Sequence, residues 1–131
     1  MKEFNDISTL ASFLDNHDVK RIAHDLNTLP YEETIATIIS MLTYTHLAQG
    51  IPLFYYGTES LLKGGQDPLN REVFDPLHHP IDKTIEHHIV RLNKFRRARR
   101  TFEMKMDFRE VEGGLLSFTL GSEILVVLTN T

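Results

Sequence analysis

Four polar residues in a row, Asp15-Asn16-His17-Asp18, follow directly on the apolar run Leu10-Ala11-Ser12-Phe13-Leu14. Carboxylates, an amide and an imidazole at the end of a short apolar segment can grip a hydrogen-bonding ligand. The same composition also builds an ordinary Asx turn. A second candidate pair, Asp67 and Arg71, sits in the Gly- and Pro-rich stretch Gly64-Gly65-Gln66-Asp67-Pro68-Leu69-Asn70-Arg71. By itself such a pair is a surface ion pair contributing ~0–1 kcal/mol. The doublets His78-His79 and His87-His88 raise a metal reading. Neither has the His-Glu-x-x-His spacing, and adjacent helical histidines point in different directions, so solvated histidines are expected instead. Gly57-Thr58-Glu59-Ser60 lacks the Gly-x-Ser-x-Gly order of a nucleophile elbow. The chain has no cysteine, which removes thiolate chemistry and disulfides but leaves the redox compartment open.

The elements that must carry these groups follow from periodicity. Leu10–Leu14 reads as a strand buried on both faces, and Val19 to Pro30 as a polar loop. A helix should follow, with Thr28 as its cap, Pro30 in the first turn, and Glu32 and Glu33 complementing its positive end. Tyr31, Ile35, Ile38 and Leu42 are its expected core positions, Leu47 continues the spacing, and Gln49-Gly50 is the stop. Ile51-Pro52-Leu53-Phe54-Tyr55-Tyr56 reads as a second buried strand with Pro at its start.

Gly57 to Pro80 holds three of the seven glycines and three of the five prolines, so it is expected to be a long loop. Asp82 should cap a further helix whose Ile85, Ile89, Leu92 and Phe95 share one face. The arginines Arg96, Arg97, Arg99 and Arg100 lie at its end, where cations suit the dipole and solvent. After Thr101 the period becomes two, with turns at Gly113-Gly114 and Gly121-Ser122, which predicts an antiparallel meander in which Met104 and Met106 fill the core. The change of period near Arg100 to Phe102 is the expected domain boundary.

The 131 residues carry a net charge of −4 and 41% hydrophobic residues, which suits a globular domain and disfavours a nucleic-acid binder. No apolar run approaches ~18 residues, so no membrane-spanning segment is expected. Residues Met1 to Thr9 lack the apolar core of a signal peptide. Two strands around one helix form a βαβ unit that needs parallel neighbours to cover it, and the meander stops straight after an apolar strand. The expectation is a piece of a larger fold, or a chain that assembles with others.

Three stretches, Phe13 to Asp18, Gly50 to Glu59 and Gly64 to Arg71, together resemble the C-terminal third of the α-amylase family of glycoside hydrolases, family 13, most nearly α-amylases and cyclodextrin glucanotransferases. The resemblance covers nearly the whole chain. It implies an α/β fold comprising the last two β/α units of a (β/α)8 TIM barrel, with Leu10–Leu14 as the seventh strand and Ile51–Tyr56 as the eighth. Residues 1–101 would belong to the catalytic barrel, and residues 102–131 would begin an all-β sandwich domain. Catalytic groups in such barrels lie at the C-terminal ends of strands, where His17 and Asp18 fall.

The family's retaining mechanism uses an Asp nucleophile and a Glu general acid, which come from the fourth and fifth strands, upstream of this segment. By resemblance Asp18 matches the third acid, which grips hydroxyls of the sugar at the cleavage subsite and stabilises the transition state. His17 binds the same sugar. Asp67 and Arg71 bind a glucose unit further along, and Tyr55, Tyr56 and Gly57 shape the barrel floor and the turn beside it.

The implied partners are an α-1,4-glucan oligosaccharide or polysaccharide, such as starch, glycogen or a maltodextrin, and the remainder of the barrel in the same or another chain. Neither nucleic acid nor membrane is implied. No cofactor is expected: the family often binds calcium, but its usual ligands lie mainly upstream, and no metal is assigned here. The chain alone is not expected to hydrolyse glucan. The alternative is a non-catalytic glucan-binding or interaction piece derived from an amylase-like protein.

Overall fold

The computed structural model describes residues 6–129. The N-terminal part of the stretch read for a signal sequence, 1–5, and the end of the expected all-β domain, 130–131, lie outside the described residues. The element order is β1 (Ala11–Ser12), α1 (Ile22–Asp25), α2 (Tyr31–Leu47), β2 (Ile51–Pro52), α3 (Lys83–Arg99), β3 (Met106–Glu112), β4 (Leu115–Leu120) and β5 (Ile124–Thr129).

Strands β1 and β2 pair in parallel, Ala11 with Ile51 and Ser12 with Pro52, and α2 crosses between them. The pairing is continued by the bonds Ile51 N–H to Leu10 O (2.8 Å) and Leu53 N–H to Ser12 O (2.8 Å). Both expected strands are present but shortened to two residues each, Ala11–Ser12 within Leu10–Leu14 and Ile51–Pro52 within Ile51–Tyr56, and their burial differs from expectation. Leu10, Phe13, Ile51, Leu53 and Phe54 are exposed, because among the described residues this sheet has two strands only and no further strand flanks either edge.

Helix α2 begins at Tyr31 with Pro30 in the cap position, so Thr28 is not the cap. Proline suits a helix entry because the amide it lacks would have had no intrahelical acceptor. Ile35, Ile38, Leu42 and Leu47 form the buried face as predicted, but Tyr31 is exposed and gives its hydroxyl to the Asp82 carboxylate. At the first turn of a helix a long aromatic side chain reaches past the core edge, and its polar tip finds a partner there. The segment predicted as a polar loop, Val19 to Pro30, contains the one-turn helix α1.

Helix α3 starts where Asp82 accepts from the amides of Thr84 (2.9 Å) and Ile85 (3.1 Å). Arg97, Arg99 and Arg100 are exposed at its far end. Arg96 is not simply solvated, because it donates from Nη1 to His46 O (2.6 Å) and from Nη2 to Gly50 O (2.6 Å). A cation thereby meets the His46 carbonyl left over at the end of α2, where the helix dipole is negative, and a loop carbonyl just beyond it.

Strands β3, β4 and β5 form an antiparallel meander, as the alternation predicted, with both turn glycines Gly113 and Gly114 at positive φ (57° and 84°) between Glu112 and Leu115. Positive φ at both turn residues matches the twist of a tight hairpin. The main core joins α2, α3 and the meander: Ile38, Leu42, Ile85, Leu92, Phe118, Leu120 and Val126 are all buried in one cluster. Met104 and Met106 pack against its edge. Among the described residues no helix is long and apolar enough to cross a membrane.

Candidate functional site

The site begins just past β1. Asn16 Oδ1 accepts the amides of Asp18 (2.7 Å) and Val19 (3.2 Å), an Asx turn that brings His17 and Asp18 out into solvent. Their side chains are 63% and 69% exposed, with His17 Nε2 at 3.3 Å from Asp18 Oδ2. Asp15, one turn earlier, points the other way and is buried at 2% exposure. Its Oδ2 accepts the Ile22 amide (3.1 Å), and its Oδ1 accepts the Thr58 hydroxyl (3.0 Å). The first and second sequence motifs are thus joined through Asp15 and Thr58.

The third motif folds against the first. Gly64 is required there, since a Cβ on it would lie 2.0 Å from the backbone oxygen of Leu69. Asp67 and Arg71 pair on the surface, Nη2 to Oδ2 at 3.1 Å. Arg71 Nε also donates to the backbone oxygen of His17 (3.1 Å), which makes the two exposed pairs neighbours. All four residues singled out by the sequence, His17, Asp18, Asp67 and Arg71, therefore meet on one solvent-facing surface.

Beneath them lies Arg21, fully buried, which the sequence reading did not single out. Its guanidinium lies 4.0 Å from the centre of the Tyr55 ring and 4.7 Å from that of Tyr56. Burial pushes the Tyr55 hydroxyl above its ordinary range, and the neighbouring Tyr56 adds to the shift. Arg21 Nη1 is 3.9 Å from Asp15 Oδ2, too long for a hydrogen bond, and among the described residues neither Nη1 nor Nη2 has a hydrogen-bond partner. Desolvating a cation costs several kcal/mol, so the Nε hydrogen bond to Asn70 O (2.9 Å), the opposing carboxylate and the two ring faces are what hold it there. Only its position, three residues after Asp18, set Arg21 apart from the other charges of the segment 19–30.

The histidine doublets do not converge. His78 is exposed and bonds Asp75 (2.6 Å), holding that carboxyl below its usual range. His79 Nδ1 accepts the Asp75 amide (3.1 Å) beside the Phe74 ring. His87 faces solvent, and His88 bonds the Thr43 hydroxyl (2.8 Å). Among the described residues no group of three His, Asp or Glu side chains is arranged to hold a metal. A cleft of about 490 Å³, lined by Tyr31, Glu72, His78, His79 and Asp82 among others, includes none of the four candidate residues.

No family model matches the chain. Over 97 residues it is 36% identical to α-amylase 2 of Schizosaccharomyces pombe, covering 74% of this chain and 16% of that protein. Over 69 residues it is 36% identical to the cyclomaltodextrin glucanotransferase of Thermoanaerobacterium thermosulfurigenes, covering 53% of this chain and 9% of that protein. The α-amylase of Geobacillus thermoleovorans, solved in complex with acarbose, superposes with a TM-score of 0.79 at 29% identity, over 95% of this chain and 28% of that structure. The chain therefore spans less than a fifth of the length of these curated relatives. Alike in sequence and in fold along most of its own length, it is a homologue of the α-amylase and cyclomaltodextrin glucanotransferase family of glycoside hydrolases.

Proposed function

We propose that this chain is a portion of an α-amylase-type glycoside hydrolase or transglycosylase acting on α-1,4-glucans with retention, and that it supplies sugar-gripping groups to the active site. In this reading β1 and β2 belong to the seventh and eighth strands of a (β/α)8 barrel, and residues 1–101 are barrel while residues 102–131 open a C-terminal all-β domain. The remainder of the barrel, in the same or another chain, covers Leu10, Phe13, Ile51 and Leu53. It also contributes the nucleophile and the general acid.

One observation carries the reading: Arg71 bonds both Asp67 and the backbone of His17, so two sequence motifs separated by about fifty residues present four exposed hydrogen-bonding groups side by side past the ends of two parallel strands. Ligands of parallel α/β folds bind at that end. Asp18 accepts from sugar hydroxyls, in bonds that strengthen as the ring flattens towards an oxocarbenium ion and thus lower the barrier. His17 holds the same ring, and Asp67 with Arg71 fixes the register of a neighbouring ring through charge-assisted bonds.

The test is calorimetric titration of the 131-residue chain with maltoheptaose, followed by assay for new reducing ends. Saturable binding without turnover is expected. Asp18→Asn should weaken it about ten-fold or more, since a hydrogen bond to a charged group contributes roughly 1.5–3 kcal/mol. Sustained turnover by the isolated chain, or wild-type affinity in Asp18→Asn, refutes the assignment.

A further inference from the structure

The two exposed pairs share a buried floor, and one side chain ties it together. Asn70 is completely buried. Its Nδ2 donates to two backbone oxygens, those of His17 (2.8 Å) and Val19 (2.9 Å), which flank Asp18 on either side. In the opposite direction, Asn70 O accepts from Arg21 Nε (2.9 Å), while the Arg21 amide donates to Gly64 O (3.0 Å). Segments 17–21 and 64–71 are therefore stitched together from both sides.

The chemistry of the position is specific. Two convergent carbonyls need two donors from one small group, and a primary amide provides them. A carboxylate of the same shape would set lone pairs against lone pairs, and a hydroxyl would leave one carbonyl unpaired. Arg21 in turn lies over the rings of both Tyr55 and Tyr56, whose centres are 4.7 Å apart, and a lysine ammonium would not reproduce its delocalised contact with both while its Nε donates to Asn70 O.

We propose that Asn70, seated on Arg21, is the positioning residue that sets the distance between the His17/Asp18 pair and the Asp67/Arg71 pair, so that an α-glucan is gripped on two separate rings at once. The inference rests on the glucan reading above. Two sites held rigidly at the right spacing make the second contact effectively intramolecular, so affinity rises with chain length beyond what either contact supplies. A loosened spacing forfeits that gain while leaving each pair chemically intact.

The experiment measures affinities for maltose through maltoheptaose with the full 131-residue chain, in wild type, Asn70→Asp and Arg21→Lys, with thermal melts of each. Wild type should gain about ten-fold or more from maltose to maltoheptaose. In Asn70→Asp the gain should fall below about three-fold, close to that of Asp67→Ala, with maltose affinity little changed.

A purely stabilising role would lower Tm but keep the length dependence, because the molecules that remain folded would bind as before. Retained length dependence in folded Asn70→Asp and Arg21→Lys overturns the proposal and leaves the glucan reading standing. Failure of both variants to fold assigns the pair to stability and overturns it as well. Absence of affinity for every oligomer in unsubstituted chain overturns the glucan reading itself, and this inference falls with it.

Discussion

Phe118 decides whether the helices and the meander behave as one cooperative unit. It lies on the middle strand β4 with no exposed surface, edge-on to Tyr44 of α2 at 5.9 Å between ring centres and near Phe108 of β3 at 6.3 Å. Ile38 and Leu42 of α2 and Ile85 of α3 belong to the same buried cluster. Phe118→Ala removes the ring and leaves a void that rigid neighbours on two helices cannot fill, at a cost of about 3–5 kcal/mol. That figure already includes the two edge-to-face contacts, roughly 0.5–1.5 kcal/mol each. Phe118→Leu keeps most of the apolar volume and should cost about 1–2 kcal/mol.

In urea, followed by far-ultraviolet circular dichroism, the alanine variant should lose roughly 2 M in midpoint for a slope of about 1.5–2 kcal/mol per M. Helix and strand signals should be lost together. A loss below about 1 kcal/mol would refute the shared core, and so would loss of the meander with the helices left folded at unchanged midpoint.

Three further outcomes follow from single features. Gly64→Ala should disorder the 64–71 loop and lower maltoheptaose affinity about ten-fold, towards that for maltose, whereas the same change at Gly113, where a Cβ meets nothing within 4 Å, should leave binding intact and cost only backbone strain; calorimetry on both variants separates them. Burial holds the His46 and His88 imidazoles below their ordinary range, so the unfolded chain binds more protons between the folded and unfolded values, and stability is complete above about pH 6.5 and lost as the pH falls through the folded values; urea midpoints from pH 8 to pH 5 should decline, and less so in His46→Gln. Asp82→Ala removes the acceptor for two amides at the start of α3 and should cost about 1 kcal/mol, read as a lower Tm, with Asp82→Asn or Asp82→Ser restoring most of it.

Local pattern was enough to locate most elements of this chain. The apolar spacing of Ile35, Ile38 and Leu42, the Asp82 cap and the two-residue alternation after Thr101 each depend on neighbours a few residues away, and each appears where expected. The four exposed residues of the candidate site were singled out for a different reason: they sit inside short stretches that resemble motifs of the α-amylase family.

Burial and partnership were decided by distant parts of the chain. Leu10–Leu14 and Ile51–Tyr56 have the composition of a buried sheet, yet composition carries no information about how many strands lie alongside, and among the described residues there are two. Tyr31 has helical core spacing but lies at an end of α2 that the core does not reach. Arg21 and Asn70 are charged and polar in a segment that reads as loop, and nothing within a few residues marks them as buried. Their partners, Tyr55, Tyr56, His17 and Val19, are some thirty to fifty residues away, and a hydrogen bond or a ring face at that separation exists only once the chain has folded.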